Sequence, residues 1–191
     1  MQPARQDLAV VPGDTYRDTV RLMQPVYEYR NITAITGAPA QLSVPAHGLA
    51  VDWPVWVRGV SGLPELNREP PRTQPWLAAR LDANTLSINA VSAEDARPQG
   101  GQLMYRPPVD LTGSTVRMAF ADAAGEELFV LLHGAGLEVS PAGLVTRELT
   151  PVQTAQLVGE WTYRFTVTYA DGAMTTYLVG GQKLPGGACG C

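Results

Sequence analysis

"GEWTYRFTVTYADGAMTTYLVGG", Gly159 to Gly181, decides the fold. Trp161, Tyr163, Phe165, Val167 and Tyr169 fall on one side of an extended chain, with Thr162, Arg164, Thr166 and Thr168 on the other. Successive side chains of a strand point to opposite faces. A period-two alternation of aromatic and β-branched residues therefore marks a half-buried strand. Asp171-Gly172 is the pair preferred where a tight hairpin needs positive φ. Met174 to Val179 then returns as the second strand.

The same grammar extends outward. In "LTPVQTAQLVG", Thr150 can cap, Pro151 suits the first helical position and Gln153 completes a capping box. Gly159 stops the element, so one or two helical turns are predicted, crossing between two sheets. Upstream, Thr115–Ala121 reads as a strand behind a turn at Thr112-Gly113. "ELFVLLHG" and "GLVTREL" read as two more, and "DLAVVPGDTYRDTVRL" as strand, turn, strand. About seven short strands separated by turn signals are the pattern of an all-β, immunoglobulin-like β-sandwich.

The middle of the chain carries its own strand set at Ile32–Thr36, Gln41–Val44, Val55–Val60, Leu77–Asp82, Thr85–Ala90 and Gln102–Tyr105, with a hairpin turn at Asp82–Thr85. The predicted layout is nested. A discontinuous outer β-sandwich takes residues 1–25 plus 107–185, a small β-barrel-like module is inserted at 26–106, and a Gly/Cys tail occupies 186–191. The N-terminal pair of strands is too short to be stable unless it joins a sheet, which favours nesting over two sequential domains.

Composition excludes some partners. The chain is 45% hydrophobic and 17% charged, with a net charge of −4 and a single lysine, Lys183. Phosphate binding needs clustered cations, so nucleic acid is not expected as a partner. The N-terminus lacks the apolar stretch of a signal peptide, and no run approaches the roughly 18 apolar residues of a membrane span.

Four stretches carry a resemblance: "GDTYRDTVRL", "DLTGSTVRMAF", "GLVTRELTPVQTAQL" and the opening hairpin. Together they resemble a β-sandwich module of tailed-bacteriophage structural proteins, similar to the N-terminal domain of upper baseplate proteins. The insert resembles a phage-associated β-module labelled after a half-domain of ubiquitin-activating enzymes. That likeness rests on His47-Gly48-Leu49, Val55–Val60, Ser61-Gly62-Leu63, Glu65-Leu66-Asn67 and Asp82 to Leu86. Asp52-Trp53-Pro54 stands where that pattern has a glycine, which makes it a candidate contact to a neighbour. The resemblance implies a virion structural protein, made in the host bacterial cytoplasm, that touches other virion proteins and copies of itself.

Candidate sites follow from residue chemistry. His47, near Asp52 and Glu65 in sequence, reads either as a general base or as a turn histidine bonding a main-chain carbonyl; the second reading is preferred. His133 reads as a strand-end histidine. Cys189 and Cys191 supply half of a tetrahedral zinc site, an interchain disulfide or a free tail, and are taken as candidate assembly contacts. Trp56 alternates with Val55 and Val57 and is expected in the core. Trp53 and Trp76 are expected in loops as contact residues. The expected function is a structural subunit of a tailed phage or phage-like particle, in the tail, baseplate or fibre anchor. The alternatives are a capsid decoration or head-to-tail protein and, from another class, a receptor- or carbohydrate-binding adhesin that stacks ligands on Trp53 and Trp76. No catalytic, cofactor-binding or metal-ligating residues are expected, and the chain is not read as an enzyme.

Overall fold

The computed structural model describes residues 2–182. In chain order its strands are β1 (Ala4–Arg5), β2 (Tyr16–Arg21), β3 (Glu28–Asn31), β4 (Ala34–Thr36), β5 (Ala40–Ser43), β6 (Trp53–Arg58), β7 (Trp76–Arg80) and β8 (Thr85–Ile88). There follow β9 (Gln102–Tyr105), β10 (Thr115–Asp122), β11 (Glu127–His133), β12 (Gly136–Val139), β13 (Leu144–Leu149), β14 (Trp161–Thr168) and β15 (Met174–Gln182). One short α-helix, α1 (Pro151–Thr154), and a single 3-10 turn at Pro64–Leu66 interrupt them. The fold is all-β and sandwich-like, built from two curled sheets. The residues divide into two compact units, one from 2–22 with 110–182 and the other Met23–Val109.

The first unit is one eight-stranded sheet in the order β1-β15-β14-β10-β11-β12-β13-β2. β10 and β14 pair antiparallel along their full length, from Thr115 opposite Thr168 to Asp122 opposite Trp161. Val116, Met118 and Phe120 of β10 and Trp161, Tyr163, Phe165 and Val167 of β14 are all buried on one face. Burying each such side chain contributes roughly 1.5–3 kcal/mol. The cover for this face comes from the far end of the same sheet. Arg147 of β13 lies with its guanidinium 5.9 Å from the centre of the Tyr163 ring, although β10, β11 and β12 separate the two strands in the sheet order. The sheet therefore folds over on itself into two facing layers. It turns the corner between β11 and β12, where Leu132 and Ala135 exchange both main-chain hydrogen bonds (3.0 and 2.8 Å).

Two local expectations are refined here. The β14–β15 hairpin closes through three residues, Ala170 to Gly172. The Gly172 N–H donates to the Tyr169 carbonyl (2.9 Å), and the Ala173 N–H donates to the Asp171 carboxylate (2.9 Å). Only Gly172 of the three takes positive φ, so a three-residue loop replaces the two-residue turn expected from Asp-Gly. The first strand expected from "DLAVV" is not a strand. Residues 6–14 instead form a strap that bonds piecemeal to several elements. The Gln6 N–H reaches the Val179 carbonyl (2.9 Å), the Tyr163 hydroxyl donates to the Gln6 carbonyl (2.5 Å), and the Gly13 N–H donates to the Thr154 hydroxyl (3.1 Å). The strap joins β1, at one edge of the sheet, to β2, at the other. Gly180 makes room for it: a Cβ there would sit 2.0 Å from the Gln6 carbonyl oxygen. The capping box at α1 forms as expected, with the Thr150 hydroxyl and Gln153 side chain each accepting from the other's main-chain N–H.

The second unit is a seven-stranded antiparallel sheet in the order β3-β9-β6-β7-β8-β5-β4. Its two edge strands, β3 and β4, are consecutive in the chain, with only Ile32 and Thr33 between them. The Ile32 N–H bonds to Gly101 beside β9 (3.1 Å), and the next N–H, of Thr33, bonds to Ser43 of β5 (2.9 Å). One nearly continuous stretch thus serves both edges, and the sheet curls back on itself as a barrel does. The interior is filled by Leu42, Trp53, Val55, Val57, Leu66, Leu86 and Leu103, each fully buried. The unit begins and ends side by side, with Met23 bridged to Pro108 and the Gln24 N–H donating to the Pro107 carbonyl (2.8 Å).

Candidate functional site

The strand phase of β6 settles the tryptophans. Trp53, Val55 and Val57 point inward and are fully buried, while Trp56 and Arg58 point outward. This reverses the expectation for two residues. Trp53 is the first residue of β6, not a loop residue, and its indole N–H donates to the Arg106 carbonyl (2.7 Å). It is core and offers no contact surface. Asp52 beside it accepts the Arg80 N–H (2.9 Å), so Asp52-Trp53-Pro54 starts a strand. Trp56, expected in the core, is half-buried on the outer face. Its N–H donates to the Thr73 carbonyl (3.0 Å), and Tyr27 packs edge-on against its ring at 5.8 Å. The phase was misread because Val-Trp-Val looks inward whichever residue leads. The deciding signal is Trp53, two residues before Val55.

Trp76, expected in a loop, opens β7 and is half-buried. Its N–H donates to the Leu66 carbonyl (2.9 Å), and the Arg68 guanidinium lies 3.1 Å from its ring centre. One ring face is therefore already occupied. Cys189 and Cys191 lie outside the described residues.

The outer face of β3, β9 and β6 carries an aromatic surface. Tyr29, Met104 and Trp56 stand in one cross-strand row. The chain from Glu69 to Thr73 folds over this row, leaving a cleft of about 260 Å³ lined by Tyr27, Tyr29, Arg58, Glu69, Pro70 and Met104. Two guanidiniums lie over the tyrosine rings, Arg58 on Tyr29 at 5.1 Å and Arg106 on Tyr27 at 4.8 Å. Arg58 is oriented further by two hydrogen bonds to the Gln102 side-chain carbonyl (3.1 and 2.7 Å).

His47 is buried in a polar cluster behind this face. Its Nδ1 accepts the Leu49 N–H (3.1 Å), so the proton sits on Nε2, which donates to the Asp82 carbonyl (2.9 Å). Burial lowers its pKa. The Tyr105 hydroxyl donates to the His47 carbonyl (2.5 Å) and lies 3.1 Å from Glu28, which also pairs with Arg30. Both ring nitrogens hold the turn together, so His47 acts as a turn histidine. His133 is exposed at the end of β11. Among the described residues no group of three His, Cys, Asp or Glu side chains is placed to hold a metal ion, and no helix is long and apolar enough to cross a membrane.

A second polar cluster, in the first unit, was not anticipated. Arg147 occupies an inward position of β13 between Val145 and Leu149 and is fully buried. It forms a two-pronged pair with Asp18 of β2, with Nε at 2.7 Å from one carboxylate oxygen and Nη2 on the other. The Tyr16 hydroxyl donates to the same carboxylate (3.0 Å). The signal was present in "LVTREL", where Arg147 shares the period-two phase of Val145 and Leu149.

No protein-family model matches the chain, and no curated protein matches it. The resemblance to phage structural proteins therefore rests on the residues quoted above.

Proposed function

We propose that this chain is a structural subunit of a tailed phage or phage-like particle, acting in the tail, baseplate or fibre anchor through protein–protein contacts. The observation that carries this reading is a group of exposed valines around α1. Val152 and Val158 are 74% and 71% exposed, and Val11 is 60% exposed on the strap. Thr154 ties the strap to α1, because its hydroxyl accepts the Gly13 N–H and donates to the Asp14 carbonyl (2.7 Å). Exposed apolar side chains on hydrogen-bonded, capped backbone are available to bury against another protein. The main polar groups, His47 and Arg147, are engaged in holding the fold, which suits a rigid building block.

The test is particle composition. Gradient-purified particles from an induced culture of the source bacterium should contain the chain by mass spectrometry, and Val152→Lys with Val158→Lys should lower its incorporation at least tenfold. Finding the chain only outside the particles would sink the proposal.

A further inference from the structure

We infer that the cleft between Tyr27, Tyr29 and Pro70 is a binding site for an acidic saccharide, seating one sugar-acid ring. This goes beyond a structural role and does not depend on one. It also uses different residues from the tryptophans that the sequence pointed to.

The cleft has the three features such a ring requires. It is lined by the two tyrosines, Met104 and Pro70, beside Arg58 and Glu69. Pyranose rings present C–H faces that pack on aromatic surfaces, and Tyr29 is still 46% exposed with Arg58 in place. Its cation is preorganised. Stacking on Tyr29 and two bonds to Gln102 fix the Arg58 guanidinium, which leaves Nη1 without a partner among the described residues. A fixed guanidinium binds a carboxylate with little further loss of side-chain freedom. Arg106 on Tyr27 adds a second positive charge. Finally, Glu69 lines the cleft, and a carboxylate can accept from hydroxyl groups.

Glu69 also decides between ligand classes. An acidic peptide brings closely spaced carboxylates, and Glu69 opposes them. A sugar acid brings one carboxylate per ring, which Arg58 can take, together with hydroxyls, which Glu69 can accept. The volume, about 260 Å³, is under the roughly 300–1,000 Å³ of pockets for drug-sized ligands and suits a single ring.

The experiment is a ¹H–¹⁵N NMR titration of the full chain with trigalacturonic acid, its neutral counterpart galactotriose, and hexaglutamate. The acidic trimer should shift the resonances of Tyr29, Arg58 and Met104 and bind at least tenfold more tightly than the neutral trimer. Arg58→Gln and Tyr29→Ala should each weaken that binding at least tenfold while leaving the rest of the spectrum unchanged. Three outcomes overturn the inference: no shifts in the cleft, equal affinity for the acidic and neutral trimers, or hexaglutamate binding there as well as the acidic trimer.

Discussion

Removing the Arg147 side chain should destabilise the first unit far more than its single ion pair suggests. Arg147 is fully buried, and Asp18 keeps about a quarter of its side chain exposed. In Arg147→Ala the Asp18 carboxylate loses both prongs of its pair and keeps only the Tyr16 hydroxyl, in a site that water reaches on one side. Leaving one member of a buried pair uncompensated costs about 3–5 kcal/mol, whereas replacing both members with apolar groups of similar volume is often neutral. With a urea slope of about 2 kcal/mol per molar for a unit of this size, the unfolding midpoint should fall by about 2 M. Hydrogen exchange followed by mass spectrometry across a urea series reads the effect peptide by peptide, with β13 and β14 as reporters and peptides of Met23–Val109 as the internal reference. Arg147→Met with Asp18→Leu should recover most of the loss. The reasoning fails if Arg147→Ala moves the midpoint of the reporter peptides by less than about 0.5 M. It fails equally if the double variant is no more stable than the single one.

Three further outcomes follow from the geometry. His47 has its pKa lowered by burial, and Arg80 lowers it further, while the Asp82 carbonyl and carboxylate oppose the shift. Its contribution to stability is therefore complete above the unfolded pKa of about 6.5 and is lost as pH falls below it. ¹⁵N NMR should show the Nε2–H tautomer at neutral pH, and His47→Gln should flatten this part of the acid stability profile. The Tyr16 pKa is raised to about 12, first by burial and then by the Asp18 carboxylate it bonds. Its stabilising effect is complete below about pH 10 and is lost as pH rises toward 12. Absorbance titration at alkaline pH should show one tyrosine fewer ionising near pH 12 in Tyr16→Phe. Gly180→Ala places a methyl 2.0 Å from the Gln6 carbonyl oxygen and 2.8 Å from the Tyr163 ring. Overpacking of this kind costs typically 1–3 kcal/mol; limited proteolysis should then cut residues 2–8 much faster than in the parent chain.

The legible parts of the fold are those where local pattern and tertiary demand agree. β14 and β10 alternate cleanly because one face of each meets the core. The capping box at Thr150 needs only side chains three residues apart. The strap was misread because "DLAVV" has strand composition, yet its partners lie some 140 to 170 residues away and take its groups one at a time. β12 was missed because it is short and begins at Gly136. β3 was missed because Glu28-Tyr29-Arg30-Asn31 has polar residues on both faces; its inward pair, Glu28 and Arg30, is tied to Tyr105 and to each other. The cleft depends on Glu69 and Pro70 folding back over Tyr29. Nothing in local spacing joins residues forty positions apart.

The paired ends of the inserted unit have a thermodynamic consequence for the rest of the chain. On the frame's side, the Leu22 N–H reaches the Gly143 carbonyl (2.8 Å) and the Leu111 N–H reaches the Pro141 carbonyl (3.1 Å), so the two points of departure converge on one turn. The entropy of closing a loop grows with the logarithm of its flexible length. An unfolded insert would present the frame with a loop the full length of Met23–Val109. Once folded, with Met23 bridged to Pro108, it presents two adjacent stubs. The frame then closes at a cost set by a tight turn and not by the size of what it carries, so folding of the insert and folding of the frame reinforce each other.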